Sequence, residues 1–239
     1  VAFSEVDMSL SNGLGAVITK NTPLVSSQLA REKITAVRGS ECNTFWVITS
    51  DRNRFYAYLI DSNGVNNGTS GSPRISAHNN NLNNLRGYLK ISPNGKTLVN
   101  ASASSGSYIF DFNAQNGEIT NGGTLNIDGD GYGVEFSRNG EKLYVTTGTF
   151  SQFTNQGTRN NPDYASVTQL SLTSRDIFDI NASKKLIYET NSGYRGALQL
   201  AANGKIYYAR SRENFLGVIN FPENDFTNTT ANEIGFEEE

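Results

Sequence analysis

Apolar and polar residues alternate along this chain in short runs, and the runs come in pairs. The clearest pair is Leu89 to Leu98, LKISPNGKTL, an alternating run, a turn around Asn94-Gly95 and a second run. The unit returns at Val134 to Leu143, VEFSRNGEKL, with Ser137 in the place of Ser92, and again at Leu198 to Tyr207, LQLAANGKIY. A degenerate copy, Thr35 to Phe45 (TAVRGSECNTF), carries one extra residue. Alternation of period two puts one face of a strand against a core, and Asn-Gly tolerates the positive φ of a tight turn. Each copy therefore predicts a β-hairpin.

Further runs follow each hairpin: FYAYLI (Phe55 to Ile60) with an outer strand near Arg74 to Ala77, YIFDF (Tyr108 to Phe112) with one near Thr124 to Ile127, SVTQLSL (Ser166 to Leu172) with Lys185 to Glu189, and FLGVINF (Phe215 to Phe221). Strands in fours, recurring every forty to sixty residues or so (roughly blade-sized spacing), predict an all-β fold, a β-propeller of four-stranded antiparallel blades. The blades fall at about 31–84, 85–130, 131–192 and 193–239, with a long loop from Phe150 to Tyr164 in the third. Residues 1–30 hold two runs around Asn12-Gly13 that look like the third and fourth strands of a unit lacking its first two. The count does not close, and open edges are a liability. The expectation is a partial set of blades from a larger propeller, with a five-bladed ring as the alternative. Gly87, Gly133 and Gly196 open the inner strands, where blades converge and space is short.

Composition agrees with many strands and loops. Only 18% of the 239 residues are charged, and Asn, Ser, Thr and Gly are abundant. A net charge of -3 gives no electrostatic case for nucleic acid or an anionic membrane. No apolar run approaches bilayer length, so no membrane insertion is expected. Cys42 is the single cysteine, which excludes an intrachain disulfide and a Cys-based metal site.

Candidate chemistry is sparse. Asn126-Ile-Asp-Gly-Asp-Gly131 fits the first half of a calcium loop, with oxygen ligands at Asn126, Asp128 and Asp130, but the twelfth position is Ser137 rather than a bidentate Glu. An Asp-Gly turn between blades accounts for the same residues. Calcium is the one cofactor the sequence offers. His78, the single histidine, sits in an Asn-rich stretch and makes a poor base for a nucleophile. Asp128, Asp130 and Glu135 are the carboxylates that a glycosidase-type mechanism would use if they faced one another. Arg86-Gly-Tyr88, Tyr132 and Tyr194-Arg195 enter inner strands, and such loops gather at one mouth of a propeller. Arg86, Tyr88, Tyr132, Tyr194 and Arg195 are thus candidates for ligand recognition, with packing between blades as their structural role.

At FSEVDMSLSNGLGAV, EKITAV, FYAYLI, GYLKISPNGKTL, YGVEFSRNGEKLYV and GALQLAANGKIYYA, the chain resembles a known group. These are the propeller regions, with WD40- or YVTN-like repeats, of large Bacteroidetes surface proteins associated with gliding motility or carried as type IX secretion system cargo. The resemblance runs from about Ala2 to Asn220 and rests on the order of the motifs, since SPNG alone occurs in many propellers. SRNG and AANG depart from the usual turn. The resemblance implies longer natural chains, export, and residence outside the cell or on the bacterial outer-membrane surface. It brings no catalytic residue with it. The expectation is a non-catalytic module for recognition or adhesion, its partner a cell-surface protein, a secretion-machinery protein or a glycan. The alternatives are a polysaccharide lyase or glycosidase, and a passenger or subunit of a secretion assembly held along its open strand edges.

Overall fold

The computed structural model describes residues 2–24, 32–65, 73–78, 86–103, 105–149, 164–191, 195–210, 213–227 and 236–238. The chain forms two units, residues 1–30 and 31–239. The first is an antiparallel hairpin of β1 (Ala2–Asp7) and β2 (Ala16–Pro23), with irregular register near Phe3 to Val6.

The second unit holds four antiparallel sheets, each built from consecutive strands, in the arrangement of β-propeller blades. Blade 1 contains β3 (Ile34–Arg38), β4 (Phe45–Ser50), β5 (Arg54–Asp61), β6 (Gly64–Val65) and β7 (Arg74–Ala77). Both β6 and β7 pair with β5, so they divide the outer position between them. Blade 2 runs through β8 (Leu89–Ile91), β9 (Thr97–Ser102), β10 (Gly106–Asn113) and β11 (Glu118–Leu125). Blade 3 comprises β12 (Gly131–Phe136), β13 (Lys142–Thr149), β14 (Tyr164–Ser171), a helix α1 (Ile177–Ala182) and β15 (Lys185–Thr190). Blade 4 is β16 (Leu198–Leu200), β17 (Ile206–Ala209), β18 (Leu216–Ile219) and β19 (Phe236–Glu238).

The repeated hairpin motif has a local cause, the expected positive φ together with a side-chain brace that was not expected. In the three Asn-Gly copies the glycines and not the asparagines take positive φ, Gly95 at 69°, Gly140 at 76° and Gly204 at 84°, while in the degenerate copy Asn43 takes it at 59°. The preceding asparagines act through their side chains. Asn94 Oδ1 accepts from Ser92 Oγ at 2.7 Å and from Lys96 N at 3.1 Å, and Ser92 Oγ accepts from Thr97 N at 3.0 Å. Ser137 and Asn139 repeat this brace with Glu141 N and Lys142 N. In the third copy Ala201 replaces the serine, and Asn203 Oδ1 alone accepts from Lys205 N. Side chains that bond the backbone two to five residues on are what make S-x-N-G a turn.

The core lies between blades. Trp46, Ile48 and Phe55 of blade 1 pack on Leu98, Phe110 and Phe112 of blade 2. Val99 and Ile109 of blade 2 meet Val134, Phe136, Leu143 and Leu170 of blade 3. Tyr144 and Val167 of blade 3 meet Leu198, Ile206 and Tyr208 of blade 4.

Two elements fall outside the sequence expectation. Helix α1 follows Asp176, whose carboxylate accepts from Phe178 N at 2.7 Å as an N-cap, while Ile180 is buried beneath it. Strand β19 lies in the polar tail, where the sequence pattern named no strand. It pairs with β18, and the Phe236 ring lies 5.0 Å from that of Tyr188. The expected loop from Phe150 to Tyr164 lies, except for Tyr164, outside the described residues.

Candidate functional site

The segments that open the inner strands of blades 2, 3 and 4 come together at one mouth. Two backbone features place them. Gly87 has φ +106°, and a Cβ there would stand 2.7 Å from the Ala101 carbonyl, so only glycine lets the chain turn so close to β9. At Gly133 a Cβ would meet the Gly196 carbonyl of the next blade at 2.5 Å. Tyr88 N donates to Tyr132 O at 2.8 Å, joining blades 2 and 3.

Three of the recognition candidates therefore stand side by side. The Tyr88 and Tyr132 rings lie 5.8 Å apart at 52°. The Arg195 guanidinium sits over the Tyr132 ring at 5.5 Å, within the range of a cation–π contact. Asp130 joins them, its Oδ2 at 3.5 Å from Arg195 Nη1. Both tyrosines are half-buried, and Arg86 is exposed at the edge. Burial raises the Tyr88 phenol, with further small contributions from Tyr132, Glu32 and Glu135. Tyr194 lies outside the described residues.

Two neighbours were missed from sequence. Glu32 Oε1 accepts from Gly87 N at 2.7 Å. Lys33 is fully buried and its Nζ donates to the Ala101 carbonyl, tying blade 1 to blade 2. Burial pushes this amine down to about 7, with Glu32 acting in the opposite direction. The available signal was a charged residue shortly before an inner strand, as at Arg86 and Arg195. The degenerate hairpin of blade 1 hid it.

The calcium set is not gathered. Asn126 donates its backbone N–H to Asn181 Oδ1 at 2.8 Å, Asp128 pairs with Lys184 at 3.0 Å, and Asp130 faces Arg195. Ser137, the would-be twelfth ligand, is buried in its own turn. Among the described residues no three His, Cys, Asp or Glu side chains assemble as a metal site. Each of the three glycosidase candidates is engaged by a different cation, Asp128 by Lys184, Asp130 by Arg195 and Glu135 by Lys90. Glu135 is 1% exposed; it takes Lys90 Nζ at 2.7 Å and Leu200 N at 2.8 Å on Oε2, and Phe136 N at 2.9 Å on Oε1. It fastens the inner strands of blades 2, 3 and 4. His78 is half-buried beside the core, its ring 4.8 Å from Phe55 and 5.7 Å from Phe110. Cys42 is exposed.

A separate cleft of about 310 Å³ lies on the outer side of blades 2 and 3, lined by Ile109, Phe110, Gly123, Ile177 and Ile180. Its one cation, Arg175, is bound to Asp111 and to Thr97 Oγ1. No helix among the described residues is long and apolar enough to cross a membrane.

The fold and mouth define a β-propeller protein with a mixed aromatic and charged cluster where inner strands begin. No known protein family matches the sequence, and no curated protein does. Solved structures do. A putative 6-phosphogluconolactonase from Bacteroides fragilis is similar at 10% identity and TM-score 0.54, over 99% of this chain and 63% of its own. Another, from Bacteroides uniformis, matches at 15% identity and TM-score 0.52, over 86% and 53%. Kluyveromyces lactis Hsv2 matches at 10% identity and TM-score 0.50, over 84% and 57%. At these identities the likeness is one of fold. The chain spans between 53% and 63% of the length of these three.

Proposed function

We propose that this chain is a non-catalytic recognition module, working outside the cell or on the bacterial outer-membrane surface, that presents its mouth cluster to a protein or a glycan. The observation that carries the reading is the convergence of Tyr88, Tyr132, Arg195 and Asp130 from three inter-strand segments. Strands packed blade on blade hold such loops rigidly, which is how recognition residues keep their geometry. The carboxylates that would serve a hydrolase are engaged by cations instead, Asp128 by Lys184 and Glu135 by Lys90. The motif resemblance at SEVDM, SPNG and GALQL supports a setting in adhesion, gliding motility and type IX secretion.

The test has two arms. Fractionation of the producing cells should place the protein at the surface or in the medium; recovery only from cytosol overturns the setting. Purified protein should bind the surface of cells lacking it, and Tyr88→Ala with Arg195→Ala should weaken that binding about tenfold or more at an unchanged fold. Unchanged binding overturns the mouth as the recognition site.

A further inference from the structure

We propose that Asn12 and Asn63 are sites of spontaneous deamidation, and that the side-chain brace of the repeated turn protects the other Asn-Gly pairs from the same reaction. The chain carries eight Asn-Gly pairs. Asn67-Gly68 and the side chain of Asn121 lie outside the described residues. The reaction needs only water. The backbone nitrogen of the following residue attacks the asparagine Cγ, and its proton passes through solvent to the departing Nδ2. The Cγ–Nδ2 bond breaks, ammonia leaves and a succinimide ring closes. Water then opens the ring at either carbonyl, leaving aspartate or isoaspartate; nothing is oxidised or reduced. Glycine in second place has no side chain to obstruct the attack.

To react, the asparagine side chain must swing free. Asn94 is held at both ends: Oδ1 accepts from Ser92 Oγ at 2.7 Å and from Lys96 N at 3.1 Å, and Nδ2 donates to Asn139 O at 3.4 Å. Asn139 Oδ1 accepts from Ser137 Oγ at 2.7 Å and Glu141 N at 2.9 Å, and its Nδ2 donates to Glu141 Oε2 at 3.1 Å. Asn203 has one bond fewer, accepting from Lys205 N at 3.1 Å and donating to Tyr207 Oη at 3.0 Å. Asn116 only accepts from Glu118 N, at 3.0 Å. Among the described residues the side chains of Asn12 and Asn63 have no such bond. Packing follows the same order. Gly95, Gly117 and Gly140 are buried, and a Cβ on Gly140 would stand 2.6 Å from Asn94 Nδ2. Gly13 is exposed and Gly64 half-buried, and a Cβ on either would meet nothing within 4 Å. The glycine N–H does not separate the two groups, since Gly95 N donates to Ser92 O at 2.9 Å and Gly13 N to Leu10 O at 3.1 Å. The asparagine side chain is the controlling element, and each bond that must be released first slows ring closure by about tenfold.

At Asn63 the product alters the fold locally. Isoaspartate adds a methylene to the backbone of the turn between β5 and β6, where Ile60 faces Val65 and Asp61 faces Gly64. The new carboxylate also stands beside Asp61, whose Oδ1 accepts from Asn63 N at 2.7 Å.

Ageing of the purified protein in a mildly alkaline buffer at physiological temperature tests the proposal. Samples are digested with pepsin at acid pH, and fragment-ion mass spectrometry assigns the conversion residue by residue, which resolves Asn63 from Asn67. Asn12 and Asn63 should convert first, Asn116 about tenfold more slowly, and Asn94 and Asn139 at least about a hundredfold more slowly. Ser137→Ala should raise the rate at Asn139 about tenfold and Ala201→Ser should lower that at Asn203 by about as much, each leaving Asn63 unchanged. In guanidinium chloride the ranking should disappear. Conversion of Asn94 as fast as Asn63 overturns the proposal, as does indifference of Asn203 to Ala201→Ser. A ranking that survives unfolding also overturns it, because neighbouring sequence rather than the brace would then set the rates.

Discussion

Lys33 makes the fold less stable at neutral pH than the same chain would be without its amine. The side chain is fully buried, and its Nζ donates to the Ala101 carbonyl. Desolvation lowers its pKa from 10.5 to about 7. Between those values the unfolded chain binds a proton that the folded chain gives up, so stability rises with pH across that interval. The stability is fully present above 10.5 and is lost as pH falls towards about 7. At about 1.4 kcal/mol per pH unit the whole interval is worth about 5 kcal/mol, an upper bound because buried charges recruit water and relax their surroundings. Lys33→Met keeps a similar unbranched stem and removes the titration. Urea unfolding at about pH 7.5 should find the variant more stable, less about 1 kcal/mol for the lost hydrogen bond. By about pH 9.5 the difference should have shrunk by about 2.5 kcal/mol. The slope is the diagnostic, since the hydrogen-bond term does not change with pH. Parallel pH curves for the two proteins would refute the reasoning and mean that the folded state keeps the amine charged.

Other consequences follow from single contacts. Ser137→Ala removes the brace to Lys142 N and Asn139 and should cost about 1–2 kcal/mol in chemical denaturation, while Ala201→Ser, which restores the brace in the third hairpin, should stabilise by about 0.5–1 kcal/mol. Glu135→Gln leaves Lys90 without its carboxylate between blades 2 and 3; about 2–4 kcal/mol should be lost, at the lower end because Lys90 reaches solvent. Tyr144→Phe strips the Pro222 carbonyl of its 2.9 Å donor in a buried setting and should lower stability by about 1–3 kcal/mol. Asp128→Asn, which breaks an exposed pair with Lys184, should move the melting temperature by less than about 3 °C, and millimolar calcium or chelator should leave the melt of the unaltered protein unchanged.

The hairpins were legible because their cause is local. Ser92, Asn94 and Gly95 close a turn with their own side chains and backbone, so three residues announce it wherever they recur. What sequence could not show was formed at a distance. Strand β19 has one apolar side chain, Phe236, and becomes a strand through pairing with β18 and contact with Tyr188. Helix α1 has six residues, too few for a helical period to stand out, and exists through its Asp176 cap and the burial of Ile180. The mouth divides along the same line. Repetition put Arg86 and Arg195 in one place, and Tyr88 and Tyr132 beside them, so their proximity could be read. Asp130 was read as a calcium ligand or a hydrolase carboxylate and not as part of the mouth, because its partner Arg195 lies sixty-five positions on.

Most charged side chains near the inner strands turn out to be fasteners, and that narrows where function lies. Lys90 meets Glu135 at 2.7 Å, and Lys184 meets Asp128 at 3.0 Å. Glu223 accepts the backbone N–H of Arg138 at 2.8 Å, closing blade 4 onto blade 3. These contacts have hydrogen-bond length, and a ligand would have to break them to gain anything. The Arg195–Asp130 pair is looser: its guanidinium lies over Tyr132 at 5.5 Å, and its nearest N–H stands 3.5 Å from the carboxylate. A recognition site is more economically placed beside this looser pair and its half-buried tyrosines than on the closed pairs, and it is there that substitution should change binding without changing the fold.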